Sequence, residues 1–148
     1  MKIIEVCKRD VVVTKRDALL PEAAKIMRER HVGCLVVVEA DDSPKPVGIV
    51  TDRDIVVEVV AAGLDARGLR VGDIMSEPPF TVRADDEMPD ALKAMRIRGV
   101  RRVPVVDDAG WLVGLASLDD LLEIAGETLT DVVGAIHSER FVEDWVRR

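Results

Sequence analysis

Two heptapeptides carry the residues best placed to do chemistry: Gly48-Ile49-Val50-Thr51-Asp52-Arg53-Asp54 and Gly114-Leu115-Ala116-Ser117-Leu118-Asp119-Asp120. Each runs Gly, two apolar or small residues, a hydroxyl, two variable residues and Asp. An apolar run that ends at a hydroxyl marks a strand giving way to a helix. The first N–H groups of that helix are unpaired and lie at the positive end of its dipole, where an anion is favoured. The Gly lets another group approach the backbone closely. An Asp one turn into the helix can accept hydrogen bonds from two vicinal hydroxyls, as an acidic residue does on the ribose of a dinucleotide. Thr51 with Asp54, and Ser117 with Asp120, also match a helix capping box, which needs no ligand, although Asp is shorter than the usual Glu or Gln. The spacing fits either role.

The motif is doubled because the chain is doubled. Asp17, Pro21, Ala23, Lys25, Met27 and Arg28 recur as Asp85, Pro89, Ala91, Lys93, Met95 and Arg96, at an offset of 68. After a loop shorter by two residues, Gly48 and Asp54 recur as Gly114 and Asp120. In the first repeat, Val11–Thr14 reads as a strand, Leu20–Arg30 as a helix with Pro21 in its first turn, Cys34–Val38 as a buried strand and Val47–Val50 as another. Thr51 opens a helix that runs to Ala62, with Gly63 as its C-cap. The second repeat follows in order: Phe80–Val82 a strand, Met88–Arg98 a helix, Val103–Val106 and Leu112–Ala116 strands, and a helix from Ser117. Ile3–Val6 has its own counterpart in Val71–Ile74. The expected division is 1–63 for the first repeat, 64–70 for a linker, 71–126 for the second repeat and 127–148 for a helical tail. Half-chains of this size are marginal alone, so the two are expected to bury their apolar faces against each other.

Composition narrows the function. At 148 residues, 48% hydrophobic and 33% charged, the chain fits a soluble globular protein. A net charge of −7, with no Tyr and two each of Phe and Trp, argues against a nucleic-acid surface. No apolar run is long enough to span a membrane, and the first residues lack a signal-peptide core, so a cytoplasmic protein is expected. Cys7 and Cys34 have neither metal spacing nor a disulfide framework. With His31 and His137 they make no nucleophile–base pair, so no enzyme is expected. His31 reads as a helix C-cap and His137 as surface, and Met27 and Met95 read as core. The paired arginines Arg28, Arg30, Arg96 and Arg98 read as solvated helix ends.

The βαββα order, the Gly-x-x-[Thr/Ser]-x-x-Asp endings and the segment Val100-Arg101-Arg102-Val103-Pro104-Val105 closely resemble CBS domains arranged in tandem as a Bateman module. The resemblance runs from about Ile3 to Leu122. It is strongest for stand-alone bacterial and archaeal CBS pairs, through Thr51-Asp52-Arg53-Asp54-Ile55-Val56. It implies an α/β (α+β) fold of two repeats packed as a pseudo-twofold pair, with two clefts that take AMP, ADP, ATP or S-adenosylmethionine. Carried over, Asp54 and Asp120 hold ribose hydroxyls, and Thr51 and Ser117 face phosphate or ribose. Thr81, Val82, Val103 and Pro104 bracket the adenine of the Asp120 site. Arg101 and Arg102 meet phosphates there, and Arg53 does so in the other cleft.

The two repeats differ where the base would lie. Val13 stands for Thr81, Val36 for Pro104 and Cys34 for Arg102. The Asp120 cleft is therefore expected to be the better ligand site. The whole is expected to act as a sensor that signals by association, as a homodimer or with an effector protein. The alternative is an interaction scaffold whose clefts stay empty. Beyond Gly126, Leu129, Val132, Val133, Ile136 and Arg140 share one helical face, extended by Val142 and Trp145. That face is expected to dock on its own domain or on a twin chain rather than on a membrane.

Overall fold

The structure, a computed structural model, describes residues 1–146, with positions 140, 141, 143 and 144 described as backbone only. Each repeat builds a three-stranded sheet. In the first, β1 (Val13–Lys15) pairs parallel with β2 (Cys34–Val38), which pairs antiparallel with β3 (Pro46–Thr51). In the second, β4 (Val82–Arg83), β5 (Arg102–Val106) and β6 (Leu112–Ser117) repeat the order. The connecting helices α2 (Leu20–Arg30) and α5 (Met88–Arg98) match the expected bounds. Pro fits their first turns, where an N–H would be unpaired in any case.

The first strand of each repeat is shorter and later than expected. Val11 and Val12 precede β1, and Phe80 and Thr81 precede β4. Parallel pairing reaches back only to Val13 against Val36 and to Val82 against Val105, and of the preceding residues Val11, Val12 and Phe80 line clefts. The helix opened by Thr51 is α-helical only over α3 (Asp52–Ile55) and then widens into a π-helical turn, Val56–Val60. There the Ala61 N–H donates to the Val56 carbonyl at 2.8 Å, five residues back. A run of β-branched valines crowds a regular α-turn. Gly63 ends the segment at φ 71°, as its C-cap role requires.

Both long connecting helices end on a left-handed residue, and the two repeats solve this differently. Gly99 takes φ 66° at the end of α5, whereas His31 takes φ 53° at the end of α2. A side chain in that region is strained by about 1 kcal/mol or more. His31→Gly is therefore expected to raise the unfolding free energy by about 1 kcal/mol. The check is a urea melt, where the midpoint should rise with the slope unchanged.

The apolar residues form two clusters rather than one shared core, and each cluster borrows a segment from the other repeat. Ala23, Met27, Leu35, Val37 and Val50 of the first repeat close around Val71 and Met75. Ala91, Met95, Val103, Val105 and Ala116 of the second close around Ile3. Ile3 lies in α1 (Ile3–Val6) and Val71 in α4 (Val71–Ile74), the leading segments of the opposite repeats. Backbone bonds repeat the exchange. Ile3 N–H donates to Asp86 O at 2.8 Å, and Val71 N–H to Ala18 O at 2.9 Å, at equivalent positions. On the sheet faces opposite these clusters, Val36, Val38, Pro104 and Val106 are also buried. Cys34 and Arg102 head those opposite faces in β2 and β5, by strand alternation.

The expected tail is not a separate element. A single helix, α6 (Leu118–Val146), runs 29 residues from the Ser117 motif through Gly126. Leu121 is buried, but Leu129, Val132, Val133 and Ile136 are 47–66% exposed, so the expected docking of this face on its own domain is not made. Arg140, placed on the same face, has its side chain outside the described residues. No described helix is long and apolar enough to cross a membrane.

Candidate ligand clefts

The exchange of leading segments decides what each motif faces. Next to β3, Ser76 pairs with Ile49, and next to β6, Lys8 pairs with Leu115. A Cβ on Gly48 would lie 2.8 Å from Met75 Sδ and 3.0 Å from Ser76 O. One on Gly114 would collide with Cys7 Sγ and come within 3.0 Å of Lys8 O. The motif glycines thus admit the exchanged segment to the backbone rather than a ligand. This also places Cys7 and Met75, equivalent by sequence, in equivalent roles.

Each cleft is therefore built crosswise. A cavity of about 560 Å³ joins Thr51, Arg53 and Asp54 of the first repeat to Ser76, Pro78, Pro79 and Phe80 and to Arg98–Arg102 of the second. A smaller one, about 230 Å³, joins Ser117, Asp119 and Asp120 to Lys8, Asp10, Val11, Val12 and His31–Cys34 of the first repeat. These walls are equivalents of one another. Thr81, Val82, Val103 and Pro104, expected beside Asp120, line neither cavity. Val82 and Val103 are core residues of the second repeat, 4% and 0% exposed. Arg101 and Phe80 face Asp54 instead. With Thr81 and Pro104 outside both cavities and Cys34 and Arg102 lining both, the mismatches do not rank the clefts; what differs is that Phe80 and Arg101 stand across from Asp54.

The capping box leaves a carboxylate oxygen free in one cleft and none in the other. Thr51 N–H donates to Asp54 Oδ2 at 2.9 Å, and Asp54 N–H donates to Thr51 Oγ1 at 3.1 Å. The box closes with Asp, and it leaves Asp54 Oδ1 without a partner among the described residues. Asp120 is committed at both oxygens. Its Oδ2 accepts from the Ser117 hydroxyl at 2.5 Å, and its Oδ1 pairs with Lys8 Nζ at 3.0 Å. Partial burial pushes the Asp120 carboxyl up, but the Ser117 hydroxyl and the Lys8 ammonium outweigh it and hold the carboxyl below its usual range.

Charge separates the clefts further. Four arginines, Arg53, Arg98, Arg101 and Arg102, line the Asp54 cleft against Asp52 and Asp54. Arg101 is tied to Asp119 at 3.2 Å, and Arg98 stacks 5.3 Å from the Phe80 ring centre. The Asp120 cleft sets Lys8 and Arg102 against Asp10, Asp119 and Asp120. Cys34 and His31, three residues apart in the chain, both line it as well. Burial pushes the Cys34 thiol up to about 11, only partly offset by Arg102, so it is protonated at neutral pH. Gly33 has a packing reason of its own, since a Cβ there would lie 2.8 Å from Asp52 Oδ2.

Comparison with known proteins agrees with this architecture. The model of the CBS domain matches residues 3–61 and again 71–127. An uncharacterized protein of Methanopyrus kandleri is 40% identical over 120 residues, which cover 81% of this chain and 60% of that protein's length. A CBS domain protein from Pyrobaculum aerophilum, solved in complex with AMP, superposes with a TM-score of 0.74 at 33% identity, covering 85% of this chain and 99% of that one. Hypoxic response protein I, solved with two coordinated zinc ions, superposes with a TM-score of 0.73 at 30% identity, covering 83% of this chain and 98% of that one. No group of three or more His, Cys, Asp or Glu among the described residues is placed to hold a metal ion.

Proposed function

Because this chain belongs to the CBS-domain family and carries the domain twice, we propose that it is a regulatory module that binds an adenosine nucleotide in the Asp54 cleft and passes the bound state on through association. The observation that carries this is the uncommitted Asp54 Oδ1 in a cavity of about 560 Å³ with four arginines around it. That volume lies within the range of about 300–1,000 Å³ usual for small-ligand sites, and the Asp120 cleft, at about 230 Å³, lies below it. Asp54 would take ribose hydroxyls, Ile49, Pro79, Phe80 and Val100 would flank the base, and the arginines would meet phosphates. The AMP held by the Pyrobaculum relative supports the ligand class.

Such a ligand contacts both repeats, so it favours one relative orientation of them, and differential affinity for two orientations is all a sensor requires. Val56, Val57 and Val60 on the π-turn and Leu122 on α6 are exposed apolar residues suited to a symmetric homodimer, and an effector protein is the other outlet. A cleft whose one thiol is kept protonated by burial supports sensing rather than catalysis. A melting panel with AMP, ADP, ATP and S-adenosylmethionine tests the proposal. A bound nucleotide at about 100 times its Kd should stabilise the fold by roughly 2.7 kcal/mol. If none of the four at millimolar concentration moves the transition, the nucleotide-sensor proposal fails. A scaffold with empty clefts then takes its place, favoured by a capping box at Thr51–Asp54 that closes without ligand.

A further inference from the structure

Arg102 lines both cavities. It heads β5, paired with Ser117 across the ladder, and its side chain is exposed. Unlike Arg101, which holds Asp119, it has no carboxylate within ion-pair distance among the described residues. Arg102 therefore stands at the border of the two clefts with no ion pair among the described residues to commit it to either. The clefts do not need it equally. The Asp54 cleft keeps Arg53, Arg98 and Arg101 as cations without it. Without it, the Asp120 cleft is left with Lys8, already paired with Asp120, facing the three carboxylates of Asp10, Asp119 and Asp120.

We propose that the two clefts compete for Arg102, so that a phosphorylated ligand in the Asp54 cleft draws the guanidinium away and leaves the Asp120 cleft unfit for a second anion. The Asp120 cleft, small and with Asp120 held by Lys8, then admits at most an unphosphorylated nucleoside, whose ribose must displace Lys8 from Asp120 Oδ1. This deepens the nucleotide-sensor proposal and rests on it. The equivalent position in the first repeat is Cys34, which also lines both cavities but brings no charge. A single cation thus serves two sites, and the coupling it creates must be reciprocal. A coupling of this kind is worth about tenfold in affinity.

Calorimetric titration with AMP separates the possibilities. Asp120→Ala isolates the Asp54 cleft and Asp54→Ala the Asp120 cleft. In the unsubstituted protein the second AMP should bind about tenfold more weakly than AMP binds to the Asp54→Ala protein, where Arg102 is not yet taken. Adenosine, in contrast, should still enter AMP-saturated protein at one per chain. In an Arg102→Met background the same comparison of second-step affinities should give a ratio near one. Equal affinities for the second step and for the Asp54→Ala protein would show independent clefts and overturn the coupling while leaving the nucleotide sensor standing. An Asp54→Ala protein that takes no AMP would also overturn it, since Arg102 would then serve one cleft only. If Asp120→Ala, and not Asp54→Ala, removes the first AMP step, the assignment of the primary site itself fails.

Discussion

Asp54→Ala weakens AMP binding by about 100-fold or more, whereas Asp120→Ala leaves the first AMP step within about threefold. The asymmetry follows from what each carboxylate already does. Asp54 satisfies the Thr51 N–H with one oxygen and presents the other to the larger cavity. Hydrogen bonds from two ribose hydroxyls to a charged acceptor contribute roughly 1.5–3 kcal/mol each, and two of them exceed the factor quoted. Asp120 is held by Ser117 and by Lys8, and with the Lys8 ammonium largely exposed, losing that ion pair changes stability by about 1 kcal/mol. Truncating Asp54 also opens a capping box, at a cost of about 1 kcal/mol, so melting of the unliganded variant must be recorded beside the titration. Asp54→Asn separates the two roles. Its amide oxygen can still accept from Thr51 N–H, so stability should be nearly kept while AMP affinity falls. If Asp54→Asn binds AMP as well as the unsubstituted protein does, the carboxylate is a cap and nothing more.

Local pattern made most of the elements legible. Pro and helical spacing mark α2 and α5 to the residue, and the apolar β-branched runs mark β2 and β5 to within one. What the pattern does not carry is partnership. Hydrophobic periodicity says that a face must be buried, and it is silent on which half of a duplicated chain will bury it. Ile3–Val6 and Val71–Ile74 are visibly equivalent, and equivalence is satisfied whether each packs on its own repeat or on the other. The family resemblance places Thr81, Val82, Val103 and Pro104 beside Asp120, within a single repeat. The glycines held the missing signal. Gly48 and Gly114 have room for a crossing segment, and in a symmetric exchange the wall of one cleft comes from the repeat that does not supply its Asp. Reach of the tail was likewise invisible, because a Gly costs only about 1 kcal/mol in a helix and Gly126 does not interrupt α6.

The exchange itself makes the second strong prediction. Ile3 is fully buried among Val82, Met95, Val103 and Val105, and Val71 is fully buried among Met27, Leu35 and Val37. Removing most of a buried Ile side chain costs about 2–5 kcal/mol, a large share of the roughly 5–15 kcal/mol that holds a domain of this kind together. Ile3→Ala should therefore lower the melting temperature strongly, and Val71→Ala should cost about 2 kcal/mol of stability. Where the fold loosens is more telling than by how much. Ile3 belongs by sequence to the first repeat, yet its loss leaves a cavity under β4, β5 and β6, so amide exchange in Ile3→Ala should quicken first across 82–117. Val71→Ala should quicken exchange across 13–51 instead. If each substitution loosened its own repeat first, the leading segments would not be exchanged in solution. The crosswise clefts, with Phe80 and Arg101 facing Asp54, would fall with them.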